Sequence, residues 1–369
     1  MKQKIIIAIL ILSLFLSGSY IDENIEKNLE TAEKSGFLNS VSSETIEILE
    51  KAGIDGLDFE KLSSVSFYDF IKIVLESFLL KIREPFEAVF TVIAVALICS
   101  LIHNFFGEIS LTGTVTDTVS TLSAAGIIIM PIKNIIEYSS SVITECSEFM
   151  LGFIPVYSSA IIASGYVTAA TGFRTLMLSA VTLISRLAGE IVFPLICIYL
   201  ALCVAGSVSD FEIGEISKSV KNFAVWILGI SLTVFSGIMG LGSIVSASAD
   251  SNFSKTAKFI INSAVPIVGS TVSDALSSIK GCLDVTKNIL GVYAIFVIAA
   301  IFLPSIISLL SWKICLSVSS GACGFFGTKK LSALLITASS VIGIMLALVV
   351  LTSVMFIFAV SIMLMTGGT

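Results

Sequence analysis

The run Ile289-Leu-Gly-Val-Tyr-Ala-Ile-Phe-Val-Ile-Ala-Ala-Ile-Phe-Leu-Pro-Ser-Ile-Ile-Ser-Leu-Leu-Ser311 holds 23 residues and no charged side chain. At about 1.5 Å per residue, a helix of that length covers the roughly 30 Å of hydrocarbon in a bilayer. Six further runs of the same character, roughly 86–106, 118–136, 149–171, 175–206, 222–246 and 331–365, fill most of the chain from Pro85 onward. Residues 175–206 and 331–365 are long for one upright helix. Each could be a tilted helix or a pair of short ones, so about seven to nine transmembrane helices are expected. The fold class is an all-α polytopic membrane protein.

Composition agrees. Of 369 residues 56% are hydrophobic and 13% charged, and the mean hydropathy is +1.03, more apolar than a soluble chain of this length can hide in one core. The net charge of −6 argues against a nucleic-acid partner, which asks for a basic face. Much of the acidity is local to residues 22–87. Positive charge does not set the orientation, because Lys218 and Lys221, the lysines of 255–287, and Lys313 with Lys329 and Lys330 fall in successive polar breaks.

Ahead of the membrane body stand two segments. Lys2 and Lys4 precede the apolar run Ile5 to Leu16 and the small residues Ser17-Gly18-Ser19, the layout of a signal peptide over residues 1–19 or, uncleaved, of an N-terminal anchor. Either would deliver the next segment to the outer side of the membrane. Residues 20–84 mix Glu and Lys with periodic apolar positions (Ile46, Leu49, Phe67, Phe70, Ile71, Val74, Leu75, Phe78), the pattern of a small acidic extramembrane helical region.

Punctuation recurs at an offset near 110 residues. Phe153-Ile-Pro155-Val156 corresponds to Ala264-Val-Pro266-Ile267, Val192-Phe-Pro194 to Phe302-Leu-Pro304, and Ser207-Val-Ser209 to Ser317-Val-Ser319. This is a candidate internal repeat, inverted if each unit holds three crossings and parallel if four. The prolines also have a plain role as helix kinks.

One polar island interrupts the hydrocarbon. Phe253, Ala257, Ile260, Ile261 and Ala264 share one helical face, with Lys255, Lys258 and Asn262 on another. After Pro266 and Gly269, residues Val268, Val272, Ala275, Leu276, Ile279 and Leu283 repeat that spacing, while Ser273, Asp274, Ser277, Lys280, Asp284 and Lys287 lie away from the apolar face. Residues 252–288 therefore read as two amphipathic helices around a Pro-Gly elbow. Such a hairpin either lies on the membrane surface with its lysines among headgroups or dips into the bilayer where protein or water covers the elbow.

Within this island Thr256-Ala-Lys-Phe259, Pro266-Ile-Val-Gly269, Ser273-Asp-Ala275 and Lys287-Asn-x-x-Gly291 carry a resemblance: the chain resembles the stage III sporulation protein AE family of endospore-forming bacteria. The likeness in layout covers essentially the whole chain, with its specific residues concentrated in 253–291. It implies membership of the mother-cell assembly that, with a forespore membrane partner, forms a channel or feeding apparatus across the two membranes around the engulfed forespore and supports late, sigma-G-dependent forespore gene expression. Other stage III sporulation membrane proteins are the partners so implied, and the mother-cell-derived membrane around the forespore is the location. The family supplies no catalytic residues to carry over.

The residues agree that no enzyme and no cofactor are expected. His103 is the single histidine and closes an apolar run, which leaves no His-based metal site or triad. The seven cysteines show no Cys-x-x-Cys spacing and read as small packing residues. No Gly-x-x-x-x-Gly-Lys-Ser/Thr loop occurs. Gly237-Ile-Met-Gly240-Leu-Gly242 and Gly321-Ala-Cys-Gly324-Phe-Phe-Gly327 fit close helix packing or a flexible loop.

Arg186 and Glu190 stand four residues apart inside the 175–206 run, on one helix face if that run is one helix. There they would line a conduit or bind another helix; if the run is two short helices they form a solvated turn. With Lys258, Asn262, Pro266, Gly269, Asp274, Lys287 and Asn288 they make up the candidate conduit or partner contact. Two function classes follow: a membrane subunit of a sporulation channel assembly, or an independent secondary transporter or channel for a small solute, the latter suggested by the repeat, the broken helices and the embedded charges.

Overall fold

The computed structural model describes residues 36, 40–54, 67–79, 83–106, 110–163, 167–208, 214–249 and 269–365. All regular structure among them is helical. The expected signal or anchor at 1–19 lies outside these residues, as does the first arm of the island.

Two short helices come first. α1 (Ser43–Lys51) has complete local signals. Ser42 accepts from the Thr45 N–H at 3.3 Å as its N-cap. Gly53, at φ +76°, closes the other end: Gly53 N–H donates to Glu50 and Ile54 N–H to Leu49, while the Leu49 and Ile54 side chains are both buried. On its exposed face Lys51 pairs with Glu47 at 2.7 Å, and the hydrogen bond and charge of that ammonium hold the Glu47 carboxyl below its ordinary range. α2 (Phe67–Leu79) buries Phe70 and Val74 completely, whereas Ile71 and Leu75 remain exposed. Phe70 meets Phe296 edge to face with ring centroids 5.2 Å apart.

The membrane body follows as long helices. They are α3 (Arg83–Phe106), α4 (Ser110–Ala163), α5 (Val167–Arg186) continued through a π-helical segment (Leu187–Val192) into α6 (Phe193–Val208), then α7 (Gly214–Ala249), α8 (Gly269–Phe325) and α9 (Lys329–Met365). Among the described residues six helical stretches are long and apolar enough to cross a membrane: Arg83–Ile102, Thr121–Ala163, Ala170–Ser207, Glu215–Ile238, Asp284–Phe325 and Lys329–Leu364. That count is consistent with the expected seven to nine.

Several helices are longer than their sequence breaks suggest. The expected spans 118–136 and 149–171 fall largely on α4, one helix of 54 residues, about 81 Å at about 1.5 Å per residue. The intervening polar stretch is helical because its polar groups are satisfied along the helix itself. Lys133 pairs with Glu137 at 3.4 Å, and Ser139, Ser141, Thr144 and Ser147 donate to backbone carbonyls three or four residues earlier. The 175–206 run is a single rod with a π-helical centre, and 331–365 is a single helix. The second arm of the island is continuous with the 289–311 span: α8 runs unbroken from Gly269 to Phe325, so arm and span share one element.

α8 is the central element. From Ile289 to Phe302 nearly every residue is buried, the exceptions being the exposed Val292 and the half-buried Ile295, as a helix apolar on all sides requires. α9 returns antiparallel along it after a turn in which Gly327, at φ +80°, allows Gly327 N–H to reach Gly324 and Thr328 N–H to reach Cys323. Serines join the pair: Ser317 with Ser339 at 2.9 Å, and Ser320 with Ser332, each hydroxyl donating to the other's backbone carbonyl at 3.1 and 2.9 Å. On the other side of α8, Ser305 donates to Ser139 of α4 at 3.1 Å in a buried contact. Hydroxyl pairs of this kind hold helices together where apolar burial gives no preference between lipid and protein.

At the offset of 110 residues the α5–α6 rod falls on α8, and α7 falls on α9. Pro194 and Pro304 then occupy matching places in the first member of each pair, an arrangement consistent with the candidate repeat.

Candidate functional site

Two polar features stand out against the hydrocarbon, one inside the bundle and one on its surface. The inner one lies between α4 and α8. Phe149, Phe153 and Tyr157 follow one another at helical spacing on α4, all fully buried, with successive ring centroids 5.7 and 5.4 Å apart. The Tyr157 hydroxyl at the end of this ladder has no hydrogen-bond partner among the described residues. On α8 the buried Asp284 Oδ1 likewise lacks a hydrogen bond among the described residues. Lys287, one turn further along α8, is 2% exposed and places its Nζ 3.7 Å from Asp284 Oδ1. A buried ammonium is thus paired with a carboxylate that keeps a third of its side chain exposed, in a setting where an unmatched charge is expensive and charges survive in pairs.

The surface feature is the π-helical segment. Pro194 has no N–H to give to the carbonyl of Glu190, and its ring crowds that carbonyl. The helix widens instead, so that Phe193 N–H donates to Ala188, five residues back. Ala188 and Val192 turn inward and are buried, while Arg186 and Glu190 are both exposed on the bundle surface. Neither of them forms an ion pair among the described residues.

A third polar contact ties the N-terminal helix to the body. Glu145 of α4 accepts from the Ser42 backbone N–H at 2.9 Å and from the Thr45 hydroxyl at 2.9 Å. The cap of α1 is thereby fixed to the middle of α4, and α2 is fixed to α8 through Phe70.

The expected site residues are thus distributed as follows. Arg186 and Glu190 share a surface, and Lys287 sits in the inner cluster. Asn288, its neighbour, is exposed. Gly269 begins α8 and Asp274 lies on its second turn; Lys258, Asn262 and Pro266 fall outside the described residues. Lys287, which the sequence places away from the apolar face of its helix, is buried, with the Asp284 carboxylate 3.7 Å away as counter-charge. Tyr157 and Glu145 were not singled out from sequence. Tyr157 stands two residues after the Pro155 landmark, which was the available signal; Glu145 carries none, since its partners are about 100 residues away.

The model of the stage III sporulation protein AE family matches residues 58–367, which takes in the whole membrane body with both polar features. The chain belongs to the stage III sporulation protein AE family. It is also similar to "Stage III sporulation protein AE" of Bacillus subtilis (strain 168), with 23% identity over 286 residues, covering 75% of this chain and 70% of that protein. No solved structure matches. Membership supports a role in sporulation for a multi-pass helical protein, as the island residues implied.

Proposed function

We propose that this member of the stage III sporulation protein AE family is a membrane subunit of the channel or feeding apparatus between mother cell and forespore, needed for late, sigma-G-dependent forespore gene expression. It resides in the mother-cell-derived membrane around the forespore and works through contacts with other stage III sporulation membrane proteins and a forespore membrane partner, without catalytic chemistry of its own. The observation that carries this reading is the family match across residues 58–367. Arg186, Glu190 and the island residues Lys258, Asn262, Pro266, Gly269, Asp274, Lys287 and Asn288 are the proposed conduit or partner contacts.

A second reading, an independent secondary transporter, is favoured by one observation: a buried Lys287 ammonium paired with Asp284 is the kind of group that ion-coupled carriers keep at depth. Reconstitution separates the two. Purified alone into vesicles, the chain is expected to move no solute, and from sporulating cells it is expected to co-purify with other sporulation membrane proteins. Saturable uptake of a defined solute by the chain alone would replace the first reading with the second.

A further inference from the structure

α4 is more than twice as long as a bilayer is thick, so the hydrocarbon could meet it at several heights. Short links fix the heights of its neighbours. Residues 107–109 join α3 to α4 and residues 164–166 join α4 to α5. Counting outward from each link places Arg83 and Cys197 level with Lys133, and the second count agrees with Ile128 and Cys203 lining one small cavity. Residues 209–213 join α6 to α7, and counting back along α7 brings Phe223 and Trp226 to the same height. That cavity is also lined by Leu334 and Ala338 of α9, Ser339 of α9 meets Ser317 of α8, and Ser139 meets Ser305. α4 and α8 therefore run antiparallel, with Lys313 within one turn of the height of Lys133.

The side chains gathered at this height are exposed and of the kinds found among lipid headgroups. Arg83 pairs with Glu87 at 2.5 Å and Lys133 with Glu137 at 3.4 Å, both at the surface. Phe223 and Trp226 stack with centroids 6.0 Å apart. Lys313 forms no ion pair among the described residues, and no acidic residue follows Asp284 in the sequence. Its ammonium lies over α9, 3.5 Å from where a Gly343 Cβ would stand, and its neighbours Leu310 and Ile314 are exposed. A cation on an apolar surface needs an anion, and the phosphate of a lipid headgroup is the one a bilayer supplies.

The surface changes character across this plane. Toward the α3–α4 link the outward residues are apolar, with Leu101 and Phe105 on α3 and Val318 on α8 exposed. Exposed charge among the described residues there keeps within about a turn of the plane or to the first turns of α7 and α9. On the other side Glu148, Arg174, Arg186 and Glu190 are exposed, and α1 is held by Glu145. α7 and α9 continue past the plane with Val234, Val350 and Val354 exposed. An apolar side chain in water costs far less than a charge in hydrocarbon, so the charges set the plane.

We propose that this plane is the phospholipid headgroup layer of one leaflet, with Lys313 on a lipid phosphate, and that α5, α1 and the part of α4 beyond Lys133 stand in water. Residues 134–163 of α4 then project about 45 Å from the membrane at about 1.5 Å per residue.

The test places single nitroxide labels on a cysteine-free, full-length chain in phosphatidylcholine vesicles. Collision with oxygen, which concentrates in hydrocarbon, is compared with collision with a water-soluble nickel chelate. Labels on Thr144→Cys and Ser179→Cys should favour the chelate at least tenfold more than labels on Leu101→Cys and Val318→Cys, with Lys133→Cys between. Oxygen favoured at positions 144 and 179 would overturn the proposal, as would exclusion of both reagents, because a protein contact would then cover the sites. Fluorescence gives an independent reading: Trp312→Phe leaves Trp226 as the only tryptophan, and bromines near the headgroup should quench it at least twofold more than bromines near the chain ends. The reverse order would overturn the plane. In native mass spectra of the solubilised chain, Lys313→Gln should retain at least twofold less phospholipid and Lys313→Arg as much as wild type; equal retention by the glutamine variant would overturn the phosphate contact.

Discussion

Glu145 is the polar tie between α1 and the membrane body. It accepts two hydrogen bonds from the start of α1, and bonds to a charged acceptor are worth about 1.5–3 kcal/mol each. Glu145→Ala should therefore undock α1, raising amide exchange across residues 43–51 by roughly tenfold or more while leaving exchange in α8 unchanged; Glu145→Gln should retain part of the protection. Unaltered exchange in the alanine variant would show that apolar contacts alone hold α1. The inner cluster makes a second prediction at this scale. Asp284→Asn removes the carboxylate 3.7 Å from the buried Lys287 ammonium and should lower stability by about 1–3 kcal/mol, whereas Asp284→Asn with Lys287→Met should recover part of that loss. Thermal unfolding of the solubilised chain reads both. Spacing alone places Asp284 and Lys287 one turn apart on α8. It says nothing of α4 lying against them, so the burial of Lys287 was not legible, and the pairing of Glu145 with Ser42 and Thr45 was beyond any local signal.

At the scale of elements, the apolar runs were readable and their ends were not. A break in hydropathy looks like a loop, but the break within α4 contains no turn chemistry. It contains a Lys133–Glu137 pair at helical spacing and hydroxyls bonded to their own helix, which let the backbone continue. The same holds where the second arm of the island runs into the span of α8. Residues on α8 also show where packing sets identity. A Cβ at Gly291 would fall 2.7 Å from the Leu364 Cγ of α9, closer than real contacts permit. Gly291→Ala should cost about 0.5–1.5 kcal/mol, because the Leu364 side chain must leave its rotamer to admit the methyl group. Adding Leu364→Ala should restore part of it, and an unchanged melting temperature for Gly291→Ala would mean that the C-terminal end of α9 yields freely.

For the whole molecule, the family match and the all-helical bundle point the same way. The family match spans residues 58–367, including a central helix 57 residues long, about 85 Å at about 1.5 Å per residue. A helix of that length exceeds the roughly 30 Å hydrocarbon thickness of a bilayer. Glu145 contacts the N-terminal helix and Lys287 contacts Asp284, while Arg186 and Glu190 are exposed. The proposed role of the chain is to serve sporulation by completing a mother-cell membrane assembly. It is tested most directly by deleting the gene in its host and following a late forespore reporter together with engulfment by microscopy. The account predicts engulfed forespores that fail to switch on the reporter and yield no mature spores, with rescue by the wild-type chain. Normal reporter activity and normal spore yield in the deletion strain would contradict it.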